Sequence, residues 1–340
     1  MNEKKYYPGI DVLRFLSMMF IVTIHTLQHG NVLSTVVPRT SNYILAYGLF
    51  SIVNVGVDVF AIISGFVGYC PEFKILKWKR FFPQWLTVVF YSMVFMFCSA
   101  FTEKSFSIRA LICALTPITS QTYWYFSSYF FVFLLSPYIN CIVASNTKEK
   151  NLHILFLGLS AVYLSHRLEG AFSIALLLYF YVVGAIIRKY SVYEHISGKI
   201  IVLLMVTTTI IVNIWNCFFS VRSTDIAYIW LRYDSPLLIL VSIGWVMLFA
   251  RMRHFDATQI RYLRLFSPSV FSVYLINDSL FVRSNIVCKM ISQSAYNHVW
   301  LLLFDILIAT ILFLLVGLFV DFIRRFIFKG VENCMANFMR

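Results

Sequence analysis

The stretch 10-IDVLRFLSMMFIVTIHTLQ-28 is long and apolar enough to cross about 30 Å of hydrocarbon as a single helix. It nevertheless carries Arg14 and His25, which a bilayer penalises unless they face the protein interior or a wet cavity. Their spacing of eleven residues is close to three helical turns, so both project from one face, roughly 16 Å apart along the axis. Asp11 and His29 fall near the same stripe and extend it towards both membrane surfaces. One helix face thus holds a fixed cation and, deeper in, a titratable imidazole, which makes Arg14 and His25 the first candidates for a functional site.

The rest of the chain repeats the apolar theme. Of 340 residues 60% are hydrophobic, 18% aromatic and only 13% charged, the composition of an all-α, polytopic integral membrane protein. Apolar stretches near 10–28, 44–69, 82–101, 124–145, 152–166, 171–188, 199–219, 229–250, 265–287 and 299–323 predict about ten transmembrane helices, 152–166 being the weakest. A further run at 107–118, interrupted by Pro117, is too short to span and reads as re-entrant or interfacial. No repeat, linker or extramembrane stretch long enough for a second folded domain stands out, so residues 1–340 read as one transmembrane domain.

Charge gives an orientation. With the N-terminus inside, nineteen of the 28 Lys and Arg residues fall in inner segments, which predicts cytoplasmic N- and C-termini. The net charge of +13 is then mostly a topology signal, and a nucleic-acid partner, which would want that charge on a soluble domain, is not expected. The first segment lacks a small-residue cleavage site and reads as a retained helix. The seven cysteines are scattered singly, with no CxxC pair and no Cys/His spacing that predicts a metal site.

Five segments in order resemble the bacterial membrane acyltransferase 3 family, many of whose members O-acetylate surface glycans. GIDVLRFLSMMFIVTIH (9–25) is similar to its opening helix, including the Arg and His separated by ten residues. GVDVFAIISGFVGY (56–69) resembles its second-helix signature, and KWKRFFPQW (77–85) its basic Arg-x-x-Arg motif before a proline, with Lys77 in the first position and Arg80 in the second. YWYFSSYFFVFLLSPYIN (123–140) resembles its aromatic middle helix. YDSPLLIL (233–240) and FSPSVFSVYLINDSLFVR (266–283) resemble late segments of a polysaccharide-acetylating subgroup. Two positions depart from the family pattern: Asn277, before Asp278, stands where relatives usually have His and cannot titrate, and Lys77 replaces an Arg, keeping the charge but losing the bidentate fork.

The resemblance implies transfer of an acyl group, most often acetyl, from cytoplasmic acyl-CoA to a hydroxyl of a surface polysaccharide or its lipid-linked precursor, at a bacterial cytoplasmic membrane. Acetyl-CoA is then a donor substrate rather than a bound cofactor, no metal is expected, and glycan-assembly proteins are candidate partners. The residues suit the task. Lys77, Lys79, Arg80 and Arg14 can clamp donor phosphates, and His25 can deprotonate the acceptor hydroxyl or carry the acyl group itself. Asp58, like Asp11, is an intramembrane carboxylate that needs a partner, and Asn277 and Asp278 are carried as substrate contacts. Trp124, with Tyr123 and Tyr125, stands at the outer start of a span, where an interfacial belt and a sugar platform both fit. Ser64, Gly65 and Phe66 read as packing residues, and His153, His166, His195, His254 and His298 show no constellation. A polysaccharide or glycolipid transporter or flippase is the alternative from another class, disfavoured by the lack of an internal repeat; a non-catalytic sensor is a third.

Overall fold

Helix α1 (Pro8–His29) starts where local chemistry favours it. Pro8 sits in the first turn, where a missing N–H costs nothing, and Asp11 lies at the positive end of the helix. The chain leaves α1 through Gly30 and turns at Asn31, whose φ of 57° is left-handed. A computed structural model describes residues 6–76, 78–168, 171–222 and 224–338; it is 82% helical, and none of the described residues is strand. Helices satisfy their own backbone polar groups, as hydrocarbon requires.

The main elements after α1 are α2 (Ser41–Val53), α3 (Gly56–Gly68), α4 (Trp78–Glu103), α5 (Ile108–Leu115), α6 (Trp124–Ser145), α7 (Lys148–Ser165), α8 (Ala171–Tyr190), α9 (Gly198–Phe219), α10 (Pro236–Ala250), α11 (Ala257–Phe266), α12 (Val270–Asn277) and α13 (Val299–Phe338). Among the described residues eight spans are long and apolar enough to cross a membrane, and a bent pair, Ala257–Asn277 with Leu280–Tyr296, makes nine. The sequence led us to expect ten. The missing one is α7, whose first turn holds Lys148, Glu149 and Lys150, leaving an apolar length of only about 20 Å. The run at 107–118 forms only the eight-residue α5.

Helix α7 still runs back between its neighbours. Helices α6 and α8 run parallel: Ser128 Oγ donates to Ser173 Oγ at 2.9 Å near one end, and Lys189 Nζ donates to the carbonyls of Val143, Ala144 and Asn146 at 2.7–3.1 Å near the other. That lysine also satisfies carbonyls left open where α6 stops. Two consecutive parallel helices need a connection that runs back; α7 is that connection, fastened at its start by Asn151 Nδ2 to Val143 O and Tyr190 Oη.

Helix α1 occupies the centre, packed against α3, α10, α12 and α13. Small residues set the approaches. A Cβ on Gly56 would stand 2.8 Å from Phe20 Cβ, and one on Gly65 would stand 1.9 Å from the Tyr181 carbonyl oxygen, while across the same crossing one on Gly184 would stand 2.0 Å from the Ile62 oxygen. Ser64–Gly65–Phe66 is therefore where α3 and α8 touch backbone to backbone.

Basic residues gather at the end where α1 begins. Arg188 lies over the Tyr7 ring at 4.1 Å, Arg264 over Tyr6 at 4.7 Å, and Arg253 pairs with Glu194 at 2.5 Å. Arg325 of α13 also reaches this end, donating to Leu265 O at 3.0 Å. The first and last described spans thus have their terminal ends on the same face of the bundle.

Candidate active site

The site forms where a span is broken. Helix α12 ends at Asn277, Asp278 N still bonds Tyr274 O at 2.8 Å, and Ser279 Oγ caps the next turn by accepting from Val282 N at 3.3 Å. The two halves meet at 59°, and the break turns Asn277 and Asp278 onto α1. His25 Nδ1 lies 2.7 Å from Asn277 Oδ1. An amide oxygen only accepts, so Nδ1 carries the hydrogen. His25 Nε2 then faces Asp278 Oδ1 at 3.3 Å, lone pair to lone pair whenever the ring is neutral. Arg283 bonds the same Asp278 oxygen and balances its charge. All three partners of this triad, His25, Asn277 and Asp278, are buried, and Asn277 Nδ2 and Arg283 Nε have no hydrogen-bond partner among the described residues. His29 lies one turn further along α1, its ring centre 5.2 Å from that of His25.

From His25 a row of phenols leads into the bundle. The Tyr274 ring lies 6.4 Å from the imidazole, Tyr125 lies 6.2 Å from Tyr274, and Tyr129 stacks 6.5 Å from Tyr125. Tyr129 is within electrostatic reach of Arg14, so the row joins the two ends of the polar face of α1. Arg14 itself donates to Asp11 Oδ1 at 2.5 Å, and Tyr6 Oη donates to Asp11 Oδ2 at 2.8 Å. Asp11 thus has a named cation. Asp58 has none: fully buried on α3, it accepts from Ser242 Oγ at 3.4 Å, and its other oxygen has no partner among the described residues. Tyr233 is within electrostatic reach of both Asp58 and Asp278.

A family model described as an acyltransferase domain, the acyltransferase 3 model, matches residues 7–323, nearly all of this polar-cored bundle. The chain belongs to the acyltransferase 3 family. No curated protein and no solved structure matches it. This acyltransferase 3 protein is therefore a membrane acyltransferase, and His25 is its buried imidazole with a free nitrogen.

Of the residues singled out from sequence, the fold brings His25, Asn277 and Asp278 together and joins Arg14 to them only through the tyrosines. Lys79 is exposed in the first turn of α4, where Arg80 also lies; Lys77 lies outside the described residues. Trp124 is half-buried, edge-on to Tyr125 at 5.7 Å. An interfacial belt at 123–125 is not what forms. Tyr123 is buried, donates to Leu275 O at 3.0 Å and packs on Tyr274, because this end of α6 is covered by α12 rather than by lipid headgroups.

Sequence reasoning missed three things. Topology alone accounts for Arg251 and Arg253 in the sequence, yet with Tyr193 and Glu194 they border one recess at the α1 entrance, where Arg188 also lies over the Tyr7 ring. His29 was noted on the polar stripe but without its neighbour Asp278, 249 residues away. His166 was set aside; its Nε2 lies 2.8 Å from Asp234 Oδ2, and Arg232 reaches both groups. The YDSP run around Asp234 was the available signal for that cluster.

Proposed function

We propose that this protein transfers a short acyl group, acetyl in the simplest case, from acyl-CoA to a hydroxyl of a surface polysaccharide or its lipid-linked precursor, with His25 as general base. The observation that carries the reading is the pairing of His25 Nδ1 with Asn277 and Nε2 with Asp278. Asn277 fixes the tautomer that presents a lone pair at Nε2. When an acceptor hydroxyl attacks the thioester carbonyl, Nε2 takes its proton, and Asp278, held by Arg283, stabilises the imidazolium that results. The new ester C–O bond forms as the C–S bond breaks, and the proton held at Nε2 is available to the departing thiolate.

Donor binding follows from the long axis of α1. A donor with its phosphates among the cations at the α1 entrance and its thioester at His25 must bridge roughly 16 Å, along the Tyr129, Tyr125 and Tyr274 row. Arg14, Lys79 and Arg80, with Arg188, Arg251 and Arg253 nearer the recess, supply charge for the phosphates. Asp58 and Trp124 are assigned to the acceptor side.

The test is mass spectrometry of surface glycans from cells expressing the native chain, His25→Ala or Arg14→Ala, with membrane levels of each protein matched. An added acyl mass that depends on the native chain and disappears in both variants is expected. Identical glycans in all strains, with the acceptor shown to be present, overturn the reading in favour of transport.

A further inference from the structure

His25, His29 and Asp278 each offer one ligand atom, and these atoms lie within 4.8 Å of one another. The two histidines are four residues apart on one helix, so their rings share a face; Asp278 arrives from the broken span opposite. We propose that these three side chains form a site for a divalent transition-metal ion of the zinc class, and that its occupancy switches off the transfer reaction.

Two imidazole nitrogens and one carboxylate oxygen are a common zinc ligand set, with the fourth tetrahedral position left for water. Ligand atoms about 2.0–2.2 Å from such an ion stand roughly 3.4 Å apart, so side-chain rotation closes the site without moving the backbone. Its surroundings fit as well. Asn277 Oδ1 accepts from His25 Nδ1 at 2.7 Å, which commits Nε2 as the ligand nitrogen and fixes the ring, as outer partners of metal-bound histidines do. Arg283 bonds the Asp278 carboxylate at the oxygen that faces His25 and orients it, leaving the second oxygen to turn towards an ion. Its positive charge also weakens the hold on a cation, so the ion exchanges rather than staying as a permanent part of the fold. The way in is past His29, which is only half-buried at the end of α1.

Occupancy and catalysis compete for one lone pair, since a metal on His25 Nε2 leaves no base for the acceptor hydroxyl. The inhibitory half of this proposal rests on the function argued above; the binding half does not.

The experiment uses the full chain in detergent or lipid nanodiscs, titrated with Zn²⁺ alone. Bound zinc is measured by mass spectrometry after desalting, and acyl transfer is followed in parallel. The native chain is expected to retain about one equivalent, and His29→Gln to bind at least about tenfold more weakly, with the acyl transfer it retains no longer inhibited by zinc. His29→Cys, which restores a ligand, recovers binding and separates ligand loss from misfolding. Replacing the exposed His153 on α7 by Gln changes nothing. Equal zinc retention by the native chain and His29→Gln overturns the site, and stimulation by zinc overturns the inhibitory role. Zinc binding that depends on His29, in a chain with no transfer activity under any condition, keeps the site while removing the acyltransfer reading.

Discussion

The protein contains two clusters of the same three residue types, and they are built to opposite ends. At the rim, Arg232 grips Asp234 with two nitrogens, Nε and an Nη, both at 3.0 Å, and the same Nη reaches His166 Nε2. The same His166 Nε2 also lies 2.8 Å from Asp234 Oδ2, and its ring is stacked 4.0 Å from Phe172. Both oxygens of the Asp234 carboxylate accept from the guanidinium there. In the core, Arg283 bonds the same Asp278 oxygen that His25 Nε2 faces at 3.3 Å, and Asn277 Nδ2 and Arg283 Nε have no partner among the described residues. Buried polar groups left open cost stability. A carboxylate with both oxygens bonded ties the end of α7 to the start of α10, whereas the core cluster keeps open donors for a substrate.

The sharpest way to break this comparison is His25→Ala, expected to lower acyl transfer by about 10²–10⁴-fold, the range for a general base, with the protein still folded by size-exclusion profile. His166→Ala at equal membrane level should keep its rate; a comparable loss there would erase the distinction. Asp278→Asn removes the charge that stabilises the imidazolium and should cost about 1.5–3 kcal/mol of transition-state stabilisation, roughly 10–150-fold in kcat/KM. Asp234→Asn should act on stability instead. Thermal unfolding in detergent should show a loss of about 1–3 kcal/mol, since the Arg232 guanidinium loses the charge and one of the two acceptor oxygens it bonds, with the rate per folded molecule unchanged. Asn277→Leu sharpens the comparison at its finest grain: one neutral hydrogen bond, about 0.5–1.5 kcal/mol, should appear as a few-fold drop in kcat with a shifted pH–rate profile, because the His25 tautomer is no longer fixed.

The legible part of this architecture was what lies along single helices. The spacing from Arg14 to His25 places a polar face on α1, and the apolar runs place most spans, because helical period and bilayer thickness act locally. Asn277 and Asp278 were reached by resemblance, and their contact with His25 needed the fold, since no periodicity links residues 252 apart. Tyr123 and Tyr125 misled for a physical reason: a tyrosine at a helix start suits a headgroup belt and a covered helix end equally, and only the position of α12 decides. The shortfall at α7 has a similar origin. Charges in its first turn lower its apolar length, while the parallel course of α6 and α8 still demands a return path.

The bond between His25 and Asn277 also sets an order of assembly. The polar face of α1 is synthesised before its partners at the broken span, which come 252 residues later, roughly 10–50 s at 5–20 residues per second. For that interval Arg14 has Asp11 beside it on the same helix, but His25 has no neighbour from the late spans. The nascent chain must hold this helix in the membrane or its insertion machinery before the site that justifies its imidazole exists, so a ribosome stalled before the broken span would leave an inserted bundle with an open, half-made centre.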